Sequence, residues 1–134
     1  MVLKQGKLGL EIIDSSYSAN PDGVFADLKY LSVFSSRKII VMPCLIELGT
    51  KSSGIHEKIG QKIAQICDLA IITSKDKFKE IKKGAMESGM LERDILLCDK
   101  PEEIYSAITL LAKSGDTVLL EGRVPAGLLN LLIG

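Results

Sequence analysis

Residues 38–73 read KIIVMPCLIELGTKSSGIHEKIGQKIAQICDLAIIT, and this stretch decides the fold class. Its ends, Lys38–Met42 and Leu69–Thr73, are short apolar runs without polar alternation, the pattern of strands covered on both faces. Between them Ile55, Ile59, Ile63 and Ile66 recur at helical spacing and form one apolar stripe, while Glu57, Lys58, Lys62 and Gln65 occupy the opposite face. Strand, helix and strand in that order make a β-α-β unit, whose right-handed crossover leaves the two strands parallel.

The same alternation extends in both directions. Further strand-like runs lie at Leu8–Asp14, Asp94–Cys98 and Thr117–Glu121. Val24, Leu28 and Leu31 mark a helix after the first strand, Phe78, Ile81 and Ala85 one after the third, Ile104, Ile108 and Leu111 one after the fourth, and a last helix is expected from about Ala126. Asn20-Pro21 reads as an N-cap followed by Pro at the first helical position, Ser52 or Ser53 as a cap for the second helix, and Asp99 with Glu102 as a capping box. The fold class expected is α/β: a three-layer domain with a mainly parallel sheet and helices on both faces. No internal repeat, low-complexity tract or linker interrupts it.

With 134 residues, 46% hydrophobic and 25% charged, the chain suits one domain with a real core. Its 17 basic and 17 acidic residues cancel, which removes the field that would draw it to nucleic acid or an anionic membrane. Aromatics at 4%, with no Trp, give little material for stacking bases. There is no membrane-spanning run and no signal-peptide pattern, so a cytoplasmic protein is expected. Cys44, Cys67 and Cys98 lack metal-ligand spacing and read as buried or half-buried thiols; no metal site is expected within the chain.

In parallel α/β sheets ligands bind beyond the carboxyl ends of the strands. The loops of interest therefore follow residues 14, 42, 73, 98 and 121. The first carries Asp14, Tyr17, Asn20 and Pro21, and reads either as a phosphate or nucleotide neighbourhood at a helix start or as an ordinary capped turn. The second carries Glu47 and Gly49 and leads to His56, the only histidine. Taken alone, His56 is better explained by packing or helix-start hydrogen bonding than by catalysis. Asp116, Glu121, Gly122 and Arg123 complete the polar groups expected at this sheet end. Lys75, Lys79 and Lys83 share a helix face opposite Phe78 and Ile81, and Asp76, Glu80 and Glu87 interrupt the basic segment, so a solvated face is expected rather than a polyanion site. No P-loop, G-x-G-x-x-G or G-x-S-x-G motif is present. A phosphoacceptor receiver domain is ruled out at the third strand, which ends in Thr73-Ser74 where the acceptor Asp would stand.

Four motifs together resemble one family: I-I-D-x-S-Y-x-A-N-P-D at 12–22, E-L-G-x-x-S-x-x-x-H-x-x-x-G at 47–60, D-K-x-E at 99–102 and G-D-x-V-L-x-x-G at 115–122. They are similar to the Rossmann-like C-terminal domain of Mur ligases, nearest to the branch that attaches D-alanyl-D-alanine to a UDP-N-acetylmuramoyl tripeptide. The resemblance implies an ATP-dependent, magnesium-requiring amide ligase of peptidoglycan synthesis with three domains. One holds the UDP-sugar-peptide and a central P-loop domain holds ATP and magnesium. The third binds the amino acid or dipeptide acceptor and closes as a lid over ATP and the acyl-phosphate intermediate. Residues 1–134 are then the third domain alone, inactive by itself. Carried over position by position, Asp14, Tyr17, Asn20 and Pro21 face the nucleotide, while Glu47, His56, Gly122 and Arg123 lie on the acceptor side. The chain departs from the family at Ser15, where Asp is usual, at Ser18, where Asn is usual, at Pro43-Cys44-Leu45 in place of G-D-M, and at Glu121-Gly122-Arg123-Val124 in place of K-G-S-R. The change at 121 exchanges a cation for an anion, with Arg123 a candidate replacement. The alternative is a stand-alone interaction or regulatory domain of the same fold whose site has decayed.

Overall fold

The computed structural model describes residues 1–17 and 19–134. A six-stranded sheet comprises β1 (Val2–Gln5), β2 (Glu11–Ser15), β3 (Lys38–Met42), β4 (Leu69–Ile72), β5 (Ile95–Leu97) and β6 (Thr117–Glu121), in spatial order β1-β2-β6-β3-β4-β5. All neighbours are parallel except β1, which pairs antiparallel with β2 at the edge. The helices are α1 (Pro21–Leu31), α2 (Ser52–Ile66), α3 (Phe78–Glu87), α4 (Pro101–Leu111) and α5 (Leu128–Ile133). The three-layer α/β arrangement anticipated from the alternation is the one observed.

The two sheet faces carry separate cores. Ile13, Ile40, Met42 and Leu119 point toward α1, α2 and α3, meeting Val24, Leu28, Ile59, Ile63 and Ile81. Ile12, Val41, Val118 and Leu120 point the other way, against Ile104 and Ile108 of α4 and Leu128 and Leu132 of α5. The chain adds β3, β4 and β5 outward and then returns through α4 to insert β6 between β2 and β3. With right-handed crossovers, reversing direction along the sheet moves the connecting helix to the opposite face, which explains the division of helices.

Several local expectations change. β1 was not anticipated, and Lys7–Gly9 forms a 3₁₀ turn, with Leu8 at φ 62°, where a strand from Leu8 was expected. β5 has only three residues, and the last helix starts at Leu128 rather than near Ala126. Asn20 caps α1 as expected, its Oδ1 accepting from the Gly23 N–H at 2.8 Å. Ser52 and Ser53 do not cap α2, because a 3₁₀ turn at Gly49–Lys51 runs straight into the helix and places Ser52 in helical geometry. Asp99 and Glu102 form no capping box: Lys100 is the residue before the helix, Pro101 occupies its first position, and no side chain caps it.

The tightest helix contact is where α2 crosses α3. A Cβ on Gly60 would lie 2.0 Å from the Ile81 carbonyl oxygen, and one on Gly84 would lie 2.0 Å from the Glu57 carbonyl oxygen. Backbone cannot yield as a flexible side chain can, so the two helices would have to separate. Gly54, on the same α2, has nothing within 4 Å of its Cβ direction. Gly60→Ala and Gly84→Ala should each lower the unfolding free energy in urea by about 1–3 kcal/mol, whereas Gly54→Ala should raise it by about 0.5–1 kcal/mol by removing unfolded-chain freedom.

Candidate functional site

The reversal that inserts β6 also creates a switch point: the loops after β2 and β3 lead to one face of the sheet, and the loop after β6 leads to the other. A cavity of about 420 Å³ opens there. Ala19 comes from the loop after β2, Pro43, Cys44, Leu45 and Ile46 from that after β3, Ser74 and Asp76 from that after β4, and Arg123 from that after β6. A second cleft of about 470 Å³ shares Ser74 and Asp76 and reaches Cys98 and Asp99 after β5. All five loops singled out in the sequence thus contribute.

The wall is mostly apolar, and two opposite charges stand in it. Asp76 and Arg123 are exposed, and neither makes an ion pair or side-chain hydrogen bond among the described residues. Asp76 escaped the sequence reading, where it counted only as an interruption of a lysine run. Its signal was positional: it lies four residues past Ile72, the last residue of β4.

Gly122 brings the loops close. At φ 69° it turns the chain after β6, its N–H donates to the Ser15 carbonyl at 3.0 Å, and a Cβ on it would lie 3.1 Å from that of Ala19 and 3.3 Å from Pro43 Cδ. Glu47 is exposed and sits at φ 62°, a left-handed conformation that costs a non-glycine residue on the order of 1 kcal/mol. It lies beside the cavity without lining it.

His56 is fully buried, and both ring nitrogens are occupied within the chain. Nε2 accepts from the Leu45 N–H at 2.9 Å, while Nδ1–H donates to the Ser52 carbonyl at 2.7 Å. His56 thus buckles the loop after β3 onto α2, the helix-start hydrogen bonding that its sequence position suggested, and is not among the residues lining the cavity. Asp14 is also turned inward. Burial pushes its carboxyl up, but hydrogen bonds from Ser16 and Lys4, the latter at 3.0 Å, outweigh burial and hold it below the usual carboxylate range. Its partner Lys4 lies on β1. Tyr17 is exposed, its hydroxyl 3.4 Å from the Met1 ammonium, and Asn20 and Pro21 form the start of α1. Ser18 lies outside the described residues.

Two further acids differ from expectation. Asp116 is at the opposite end of β6 from the cavity, where its carboxylate accepts from the Arg37 and Lys113 N–H groups. Glu121 is at the right end but buried. Burial, with the Asp27 carboxylate beside it, pushes its carboxyl up to about 9, so at neutral pH it does not present the anion that its sequence position suggests. Cys44 and Cys67 are buried and Cys98 half-buried, and burial pushes the Cys67 thiol up to about 12, as for an inert core residue.

The described residues supply neither a P-loop cradle for ATP nor a ligand set for magnesium. The sequence has no P-loop, and no group of three His, Cys, Asp or Glu side chains among the described residues could hold a metal ion. No helix of the described residues is long and apolar enough to cross a membrane.

Residues 1–124 match the family model described as Mur ligase, glutamate ligase domain. Among solved structures, the chain is similar to the MurF ligase of Thermotoga maritima in complex with ADP, at 25% identity and TM-score 0.78, covering 96% of this chain and 29% of that one. It is similar in fold to MurF of Acinetobacter baumannii, at 21% identity and TM-score 0.70, covering 91% of this chain and 27% of that one. It also resembles in fold a domain of a UDP-N-acetylmuramate:L-alanyl-γ-D-glutamyl-diaminopimelate ligase of Haemophilus ducreyi, at 15% identity and TM-score 0.64, covering 91% of this chain and 86% of that domain. No curated protein matches by sequence. The chain thus spans less than a third of the MurF ligases it resembles.

Removing the His56 buckle should leave the Leu45 N–H without a partner. His56→Ala is expected to lower the unfolding free energy by at least about 1–3 kcal/mol, and to speed hydrogen exchange at the Leu45 amide more than at amides of β6.

Proposed function

Since the chain belongs to the Mur ligase family through its glutamate ligase domain, we propose that it is the acceptor-binding C-terminal domain of an ATP-dependent, amide-forming ligase of peptidoglycan-precursor synthesis. It forms one domain of such an enzyme and closes as a lid over a nucleotide and a UDP-sugar-peptide held by other domains. ATP and magnesium belong to a central P-loop domain, since this chain offers neither a phosphate cradle nor a metal-ligand set. When bound there they supply phosphoryl activation of the donor carboxylate. The chain's own residues bind and orient the amine that receives the acyl group. By itself the chain is inactive.

The single observation that carries this reading is the apolar-walled cavity at the switch point, with the Arg123 guanidinium and the Asp76 carboxylate in its lining, both unpaired among the described residues. An amino acid or short peptide has the complementary charges, a carboxylate for Arg123 and an ammonium for Asp76, and an aliphatic body for Ala19, Leu45 and Ile46. Holding the acceptor by both ends positions its amine, and positioning is a large part of what an amide-forming enzyme must provide. Gly122 shapes the turn that presents Arg123, and Tyr17 and Asn20 stand on the neighbouring loop, where a closing domain would meet the nucleotide.

The second reading, a stand-alone interaction domain with a decayed site, draws on Ser15 and Glu121, which differ from the family's usual Asp and Lys. Phosphate release separates the two. The parent enzyme should release phosphate only with both the UDP-sugar-peptide and the acceptor present, and residues 1–134 alone should release none. Arg123→Ala and Asp76→Asn in the parent should each raise the acceptor KM about 10–100-fold, the loss of one charge-assisted contact, with a smaller change in kcat. Unchanged KM in both variants would remove the acceptor assignment from this cavity.

A further inference from the structure

Beneath the cavity lies a buried acidic cluster that the acceptor reading does not use. Ser15 and Glu121 are register partners at the ends of β2 and β6, and both side chains project toward α1. There the Ser15 hydroxyl donates to Asp27 Oδ2 at 2.7 Å, and the Glu121 carboxyl stands beside that of Asp27. Glu121 is 3% exposed, and its Oε1 has no partner among the described residues.

Donor counting determines the protonation state. Two carboxyl groups meet in this space, and the only side-chain donor among the described residues, the Ser15 hydroxyl, is already given to Asp27. Among the described residues no Lys, Arg or His makes an ion pair with either acid. The Met1 ammonium acts on Glu121 through space and favours its anion, while Asp27 opposes it more strongly; no other charged group bears on it. Two carboxyls that share a buried space without a donor between them cannot both ionise at low cost, so one keeps its proton. From the loop after β3, Pro43 packs against the Gly122 turn, its Cδ 3.3 Å from where a Cβ on Gly122 would lie.

We infer that Ser15, Asp27 and Glu121 form a one-proton clasp that holds the end of β2, the start of the Gly122–Arg123 turn and α1 together, and that loss of this proton releases the turn carrying Arg123 from the Ala19 loop. The coupling runs through two contacts: Gly122 N–H to the Ser15 carbonyl, and the absent Cβ of Gly122 against Ala19. Ionised Glu121 would face Asp27 with no donor between them, and the relief available is separation of β6's end from α1. The wall of the cavity is thereby held in place at neutral pH and loosened under alkaline conditions. This inference does not depend on the ligase reading.

The direction of the stability effect follows from linkage. Glu121 is held up to about 9 in the folded chain against 4.5 as its ordinary value. Its contribution is therefore fully present below the ordinary value and is lost as pH rises through the folded value. Between about pH 5 and pH 9 the unfolding constant of the wild type, divided by that of Glu121→Gln, should rise about tenfold per pH unit and then level off. The Gln amide donates to Asp27 at every pH and serves as the permanently closed form. In the wild-type chain, carboxyl ¹³C signals of Glu121, the Gly122 amide and the Ala19 methyl should titrate together with a midpoint near pH 9. A Glu121 carboxyl titrating in the ordinary range, or Gly122 and Ala19 signals indifferent to it, overturns the clasp. If Glu121→Gln does not fold, the wild-type titration decides alone.

Discussion

Everything in this domain waits on the insertion of β6. Its five residues are all buried, and they pair in parallel with β2 on one side and β3 on the other. Until Thr117–Glu121 arrive, β2 and β3 have no hydrogen-bonding partner along the edges that face each other. The pairing joins segments about 80 to 105 residues apart in sequence, so its loop-closure cost falls on a contact that local helices cannot replace. In return one strand supplies both cores, Leu119 to the side of α1–α3 and Val118 with Leu120 to the side of α4 and α5. The cavity is a consequence of the same step, because a strand inserted from the opposite direction sends its following loop to the opposite face.

The charges divide into those the fold consumes and those it leaves free. Asp14 is taken by Lys4 and Ser16, Asp116 by backbone N–H groups and Arg37, and Asp27 by Ser15 and Glu121. Each of these is buried or half-buried, where an unpartnered charge is costly and a satisfied one rigidifies its surroundings. Asp76 and Arg123 sit at the cavity without such partners among the described residues. A chain of zero net charge can therefore still present a local field, and that field is bipolar, suited to a ligand with one charge at each end.

The layered fold was legible because it is written redundantly. The stripe Ile55, Ile59, Ile63, Ile66 and the runs 38–42 and 117–121 each specify their element without help from the rest. What was illegible depended on tertiary context. Val2–Gln5 is short and exposed at the sheet edge, and carries no buried alternation to announce a strand. Ser52 had the chemistry of a cap but lost the role to a preceding 3₁₀ turn, and Asp99 lost it to Lys100 and Pro101. At the site, spacing identified the five loops but could not say which way each side chain turns. His56 and Asp14 point inward; Asp76, read only as a break in a basic run, reaches the cavity.

Position 121 shows why a residue's formal charge is a poor guide at a sheet end. Read as a formal charge, Glu there is an anion, which would repel a carboxylate or phosphate. Burial reverses that conclusion, since removal from water and the neighbouring Asp27 both favour the protonated acid. What the end of β6 presents to the cavity at neutral pH is Arg123, two residues further along and beyond the glycine turn. The cation that lines the cavity therefore stands on the turn and not on the strand. A cation on a strand end is fixed by the sheet; one on a turn is only as fixed as whatever holds that turn, which here is Gly122's bond to Ser15 and the acidic pair beneath it.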